Sequence, residues 1–250
     1  LGFIVWWDIL RVMKQFKNKK FKCFKSLTLH SKIVISSTLV LIFGGALLIF
    51  LFEYSNADTI GAYNIFDKIQ ISIFQSITTR TAGFATISQK HLTDQSVIIC
   101  LILMFIGGSP VGTAGGIKTI TAVSLLAIAI ASIRNKKEVI LFNRNLSSEI
   151  TRKAVAVTAM SFMIVMISTI LLSLTIDRSI VDILYETVSA TATVGLSRNL
   201  TPFLNSIGKI IVIITMYLGR VGPISLAIAF KSKKESSNII LNPTEEVSIG

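Results

Sequence analysis

Long apolar runs alternate along this chain with short polar segments. The run from Ile33 to Phe52 holds the ~20 mainly apolar residues that a helix needs to cross a bilayer core of ~30 Å. The run from Ile65 to Ile77 is shorter, and a helix that rises ~1.5 Å per residue would extend only about 20 Å over it. Such a segment enters the membrane and returns on the same side. The pattern predicts an all-α, multi-pass protein of the cell membrane.

Charge distribution gives the predicted orientation. The net charge is +12 although only 15% of the residues are charged, and the lysines and arginines cluster beside the apolar runs. Basic clusters at 11–32, 134–153 and 231–234 are expected in the cytoplasm, because basic segments next to membrane helices usually stay there. The segments around Asp58 and Asp177 are expected outside. This distribution argues against nucleic acid as a partner.

Two cytoplasmic ends require an even number of crossings between them, so each block between basic clusters crosses the membrane twice. Each block contains a spanning helix, a short re-entrant helix, a polar turn and a returning helix. These segments lie at 33–52, 65–77 and 97–133 in the first block, and at 154–176, 180–189 and 207–230 in the second. The predicted organisation is the end of a preceding membrane helix at 1–10, a basic cytoplasmic segment at 11–32, a first repeat at 33–133, a cytoplasmic linker at 134–153, a second repeat at 154–230 and a cytoplasmic tail at 231–250.

The two blocks are also related in sequence. An offset of 112 positions places Gly83 on Gly195, and aligns TAGF with TVGL around them. The same offset, without a gap, aligns MFIG at 104–107 with MYLG at 216–219. Agreement of two motifs in one register indicates a tandem duplication of a helix–pore-loop–helix unit.

The polar stretch SITTRTAGFATI, residues 76–87, follows the first re-entrant helix. Non-helical backbone at membrane depth is tolerated only where it is buried in protein or lines a water-filled path. A helix that ends there places about half a negative charge at its C-terminus, which favours a cation. The carbonyl oxygens of the turn can replace the hydration shell of an ion, and Gly83 allows the backbone angles of such a turn. The turn is predicted to line an ion pore.

Four motifs together, TTRTAGF, GGSPVGTAGGIKT, SATATVGLS and MYLGRVGP, resemble the Trk/Ktr/HKT superfamily of cation transporters, in particular the membrane subunit of the bacterial Ktr-type potassium uptake system. The resemblance implies four helix–pore-loop–helix repeats around one central ion pore. This chain is similar to the third and fourth, so the resemblance also implies N-terminal repeats before it. The predicted ion-binding filter consists of Arg80, Thr81, Ala82, Gly83, Ala192, Thr193, Val194 and Gly195.

The sequence departs from the family pattern at two places. Thr191 and Ala192 stand where the fourth filter usually has Phe-Gly, and Val111 stands where a small residue is usual. The filter glycines are intact, so ion binding is expected to be retained.

A glycine-rich loop, residues 107–118, interrupts the returning span of the first block. Proline removes a helical hydrogen bond, and each glycine costs roughly 1 kcal/mol relative to alanine in a helix, so no continuous helix is expected. A phosphate-binding loop is disfavoured, because Ile117 separates Gly116 from Lys118. The interpretation that the resemblance supports is an intramembrane gate. Its predicted residues are Gly107, Gly108, Ser109, Pro110, Gly112, Gly115, Gly116, Lys118 and Arg220.

Roles are predicted for three charged residues near the polar turns and in the last apolar run. Arg220 is equivalent to Gly108 by the repeat offset, and a charge at such depth should face protein or water. It is predicted to contact the glycine-rich loop and to oppose cations, or else to bond backbone carbonyls in a purely structural role. Arg80 and Glu186 are expected to brace the polar turns, either as a direct pair or through separate bonds to the backbone.

The resemblance implies potassium as the principal ion and sodium as a co-ion or activator. It also implies a homodimer and a cytoplasmic ring of nucleotide-binding regulatory subunits, in addition to the surrounding lipid bilayer. No covalently bound cofactor, transition-metal site or enzymatic activity is expected. The alternative function is a cation symporter with alternating access, which also uses broken helices. The parallel orientation of the two blocks favours the pore over the symporter.

Overall fold

The computed structural model describes residues 2–15, 26–112, 114–136 and 138–222. The predicted tail at 231–250, and the part of the last predicted span beyond residue 222, lie outside these ranges. Eight helices are described: α1 (Phe3–Gln15), α2 (Leu29–Glu53), α3 (Ile65–Thr78), α4 (Asp94–Phe105), α5 (Thr119–Ile133), α6 (Ser148–Ser173), α7 (Ile180–Thr191) and α8 (Ser206–Val221). Short 3-10 turns lie at Gln89–His91 and Thr201–Phe203, and the two-residue strands β1 (Ile140–Leu141) and β2 (Arg144–Asn145) pair antiparallel.

Helices α2 and α6 are the two described helices that are long and apolar enough to cross a membrane. They contain 25 and 26 residues, so each helix is about 38–39 Å long at a rise of ~1.5 Å per residue. In the most apolar 18-residue stretch of each helix, only 28% is buried inside the protein. Large side chains such as Phe43, Leu47 and Phe162 are exposed on their outer faces. Apolar surface of this extent suits contact with lipid rather than water.

The two predicted re-entrant segments are helices that cannot span the membrane. Helix α3 has 14 residues and α7 has 12, and at ~1.5 Å per residue neither reaches the ~30 Å of the hydrocarbon core. Asn64 caps the start of α3, since its side chain accepts the amide hydrogen of Asp67 at 2.9 Å. The short helices predicted at 65–77 and 180–189 are therefore present, and α7 extends to Thr191.

Each short helix packs against the long helix of its own repeat. In the first repeat the hydroxyl of Ser76 on α3 donates to the carbonyl of Ile42 on α2 at 2.9 Å. A side chain on Gly45 would overlap Ser76, so the glycine permits this approach. In the second repeat the hydroxyls of Thr169 on α6 and Thr187 on α7 lie 2.7 Å apart. Small residues and hydroxyl pairs are the usual means of helix association in membranes.

One apolar core joins the two repeats. It contains buried side chains of the first repeat, among them Ile49 and Met104, together with Val165 and Tyr185 of the second. Helices α4 and α7 contact each other, as do α5 and α6. The two repeats are thus packed together, and the turns that follow α3 and α7 are brought to the same region.

The chain between the repeats contains a β-hairpin that the all-α prediction did not include. Strands β1 and β2 are joined by Phe142 and Asn143, whose φ angles of 48° and 61° are left-handed. Two successive left-handed residues match the twist of a two-residue hairpin. Because the hairpin has only two residues in each strand, the fold remains all-α.

The predicted orientation can be tested by labelling single cysteines with a membrane-impermeant thiol reagent. In a background without Cys23 and Cys100, cysteines at Asp58 and Asp177 should react from outside the cell, whereas one at Lys136 should react only after permeabilisation. All three replaced side chains are exposed, so access to solvent, rather than burial in the protein, decides the result. Labelling of position 136 in intact cells would contradict the even number of crossings assigned to the first repeat.

Candidate functional site

The two polar turns share an unusual backbone geometry. In the first turn, residues 80–84, Thr81 and Gly83 have φ angles of 70° and 79°. In the second turn, residues 192–196, Thr193 and Gly195 have φ angles of 53° and 96°. Left-handed threonine is uncommon, so its presence at equivalent positions of both turns supports the repeat that the sequence offset predicts.

The two turns contact each other directly. A side-chain carbon on Gly83 would overlap the carbonyl oxygen of Val194. Glycine is therefore required at position 83 both by its backbone angle and by the approach of the opposite turn. Gly195 has the same left-handed backbone, but a side-chain carbon added to it would meet no atom within 4 Å. The structure thus brings Gly83 and Val194 of the predicted filter together, and leaves Gly195 facing open space.

Each turn begins at the C-terminus of a short helix. At the end of α7 the amide of Val194 donates to the carbonyl of Ser189 at 2.9 Å, and that of Thr193 to Ala190 at 3.1 Å. This pair of bonds is the Schellman arrangement that ends many helices. At the end of α3 the amides of Ala82 and Gly83 both donate to the carbonyl of Thr78 at 3.1 Å. Both turns therefore lie at the negative end of a helix dipole, where a cation is favoured.

Two hydroxyls that sequence reasoning missed hold the turns in place. Thr78 accepts the amide hydrogen of Phe84 at 2.8 Å and donates to the carbonyl of the same residue at 2.6 Å. Ser189 accepts the amide hydrogen of Gly195 at 3.1 Å. The offset of 112 pairs Thr78 with Ala190 and not with Ser189, so the repeat alignment concealed the shared role. The available signal was a hydroxyl six positions before the residue that it holds.

The chain between α4 and α5 is not helical at any described residue. Two backbone hydrogen bonds hold its ends together. The amide of Ile117 donates to the carbonyl of Phe105 at 3.1 Å, and the amide of Thr119 donates to the carbonyl of Gly108 at 3.1 Å. The ammonium of Lys118 donates to the carbonyl of Ala114. The helix is interrupted where the glycines and Pro110 predict it.

The glycine-rich loop contacts both turns. A side-chain carbon on Gly115 would collide with the second turn, at the hydroxyl of Thr193 and the carbonyl oxygen of Ala192. Arg80 of the first turn donates to the carbonyl of Gly107 at 3.2 Å. The predicted gate residues are therefore adjacent to the predicted filter residues.

Two cavities lie beside the loop. The larger, of about 500 Å³, is lined by residues of the loop, of the second turn and of the end of α8, and both Lys118 and Arg220 face it. The smaller, of about 300 Å³, lies beside the first turn and is lined by Arg80, Thr81, Gly108 and Ser109, among others. Cationic side chains on the wall of the larger cavity would oppose a cation there.

The proposed direct pair of Arg80 and Glu186 is wrong. Arg80 bonds the loop through Gly107, whereas Glu186 accepts hydroxyl hydrogens from Ser197 at 2.6 Å and Thr201 at 2.5 Å. Glu186 lies six residues before the second turn, which is about 9 Å along a helix. It therefore contacts the segment that follows the second turn. The alternative of separate bonds to the backbone describes Arg80, whereas Glu186 is held by two side-chain hydroxyls.

Short re-entrant helices that end in contacting turns, next to an interrupted helix, define an all-α membrane protein of the tandem pore-loop class. The family model TrkH, a cation transport protein, matches residues 1–241, and this chain belongs to that family. The resemblance that the four motifs indicate is confirmed. Because the family is one of membrane transport proteins, a multi-pass location in the cell membrane and a non-enzymatic role are confirmed as well.

Several curated proteins are similar to this chain. It is 39% identical over 239 residues to the Ktr system potassium uptake protein B of Bacillus subtilis. That alignment covers 96% of this chain and 52% of the relative. It is 33% identical over 256 residues to the potassium/sodium uptake protein NtpJ of Enterococcus hirae, in an alignment that covers 100% of this chain and 54% of the relative. The chain thus spans about half the length of the curated relatives it matches.

A solved structure shows the same fold. The crystal structure of the potassium transporter TrkH from Vibrio parahaemolyticus superposes with a TM-score of 0.72 at 15% sequence identity. The match covers 92% of this chain and 49% of that one.

Proposed function

We propose that this chain forms part of a cation pore that takes up potassium across the cell membrane, with sodium as a second ion. The observation that carries the proposal is the direct contact of two turns with matching left-handed residues, each at the C-terminal end of a short re-entrant helix. Helix dipoles and turn carbonyls together favour a dehydrated cation. The names of the relatives, which are potassium or potassium/sodium uptake proteins, support the choice of ion.

The glycine-rich loop and Arg220 form the proposed gate of this pore. The loop contacts both turns, and Arg220 and Lys118 face the cavity beside the second turn. A loop that lies across the path and two positive charges beside it would each hinder a cation. Movement of the loop would lower both barriers.

The complete transporter is proposed to contain further N-terminal repeats, because this chain spans about half the length of its relatives. A homodimer with a cytoplasmic ring of nucleotide-binding regulatory subunits is the proposed assembly. The word "system" in the name of the Bacillus subtilis relative supports the existence of a partner.

Uptake of isotopic rubidium and sodium tests this function. The full-length protein that contains this chain, expressed in cells without other potassium importers, should give saturable rubidium uptake that exceeds sodium uptake, because the turn carbonyls replace the hydration shell of the larger ion. Cells with an empty vector are the control. Rubidium uptake equal to that control, with the protein present in the membrane, would refute the proposed function.

A further inference from the structure

A buried polar cluster lies behind the two turns and belongs to neither of them. Its centre is the side-chain amide of Gln89, which is 4% exposed and follows the first turn. Gln75 on α3 and Tyr185 on α7 are completely buried beside it. Three buried polar side chains from three separate elements thus meet at one point in an otherwise apolar core.

The amide of Gln89 uses its full hydrogen-bonding capacity. Its oxygen accepts from Gln75 at 2.6 Å and from the hydroxyl of Tyr185 at 2.9 Å. Its nitrogen donates to the oxygen of Gln75 at 3.2 Å and to the carbonyl of Ile87 at 2.9 Å. A primary amide offers two acceptor and two donor sites, and all four are occupied. Such a completely satisfied buried network holds its members in one arrangement.

The cluster connects the two repeats. Gln75 and Gln89 belong to the first repeat, whereas Tyr185 belongs to the short helix of the second. Arg198, after the second turn, provides another connection, since it donates to the backbone carbonyl of Gln89 at 3.1 Å and to Asp182 at 2.7 Å. The segment that leaves the first turn is thereby held by the second repeat.

We propose that Gln89 and Tyr185 are positioning residues that set the spacing between the two turns and so the selectivity for potassium over sodium. The inference rests on the proposed function of the turns. Gly83 and Gln89 are separated by five residues, and the amide anchors the far end of that segment. Since Gly83 already contacts Val194, a shift of the anchor changes the positions of the carbonyl oxygens that face the ion. Ion selection depends on those positions and on their freedom to move.

The test removes one hydrogen bond that crosses between the repeats. Tyr185→Phe keeps the ring and deletes the hydroxyl. In the full-length protein it should raise the KM for rubidium and the sodium-to-rubidium uptake ratio by roughly three- to tenfold, the range that one buried hydrogen bond corresponds to. The maximal rate per amount of membrane protein should stay unchanged. Gln89→Leu should act in the same direction, and the double variant should give less than the product of the two effects.

Thr215→Val is the matched control, because it removes a buried hydroxyl pair with Ser168, 2.8 Å apart, that lies within the second repeat. It should leave the uptake ratio unchanged. Arg198→Gln provides a second variant if Tyr185→Phe reaches the membrane poorly, and the same shift is expected. The positioning role would be overturned if the parent takes up rubidium but the uptake ratio is unchanged in both Tyr185→Phe and Arg198→Gln. An equal shift of the ratio in Thr215→Val would overturn it as well. Absence of uptake by the parent would instead refute the proposed function, and this inference with it.

Discussion

Replacing Gly83 by serine is expected to reduce the discrimination of the full-length protein between potassium and sodium by about tenfold or more. The left-handed backbone at this position costs a residue with a side chain about 1–2 kcal/mol, and ~1.4 kcal/mol corresponds to a factor of ten in affinity. The added side chain would also overlap the carbonyl oxygen of Val194. The measurement is rubidium uptake in competition with sodium, normalised to the amount of protein in the membrane.

Two further glycines make this experiment specific. Gly195→Ser has the same backbone strain but open space around the new side chain, so its effect should be smaller than that of Gly83→Ser. Gly44→Ser, on the exposed face of α2, meets no atom within 4 Å and should behave as the parent. If Gly83→Ser and Gly195→Ser both kept the uptake kinetics of the parent for both ions, the two turns would not be the filter.

Replacing Arg220 by alanine is expected to raise ion flux roughly tenfold under conditions in which the parent is closed. Arg220 faces the cavity that Gly112, Gly115 and Gly116 of the loop also line, and its positive charge opposes a cation there. A barrier lowered by about 1.4 kcal/mol increases a rate tenfold. Rubidium flux into proteoliposomes, measured with and without the proposed regulatory subunits, should show both the increase and a weaker dependence on those subunits.

A shortened glycine-rich loop should raise flux in the same way. In the double variant with Arg220→Ala, the increase in the logarithm of the flux should be much smaller than the sum of the two single increases, because both changes remove the same barrier. Lys209→Ala is the control, since Lys209 is an exposed base near the other end of the same helix, α8. Flux at or below the parent level in the well-expressed Arg220 and loop variants would count decisively against this gate.

Much of the helical framework follows from local pattern. The long helices α2 and α6 coincide with apolar runs, and the short helices α3 and α7 with runs too brief to span the membrane. The interruption between α4 and α5 follows from Pro110 and its neighbouring glycines, since these residues oppose a helix wherever they occur. The hairpin at 140–145 was missed, because Phe142 is an unusual residue for a left-handed turn position.

Contacts between distant segments were harder to predict. The charges of Arg80 and Glu186 suggested a direct pair, but Arg80 donates to the carbonyl of Gly107 and Glu186 accepts from the hydroxyl of Ser197. Thr78 and Ser189 share a role that the offset of 112 does not align, because the two short helices end with different hydrogen-bond patterns. A repeat in sequence therefore predicted equivalent turns but not equivalent supporting side chains.

The sequence by itself determined the membrane location, the two tandem repeats and the glycine positions of the turns, because hydropathy, segment length and glycine's backbone freedom are properties of local chain chemistry. Only the tertiary structure decided that Gly83 packs on Val194, that Gly115 lies against the second turn, and that Gln89 joins Tyr185. These contacts join residues that are 77 to 111 positions apart in the sequence. They depend on how helices of the two repeats pack around a shared core, and close packing selects among arrangements that local pattern leaves equally possible.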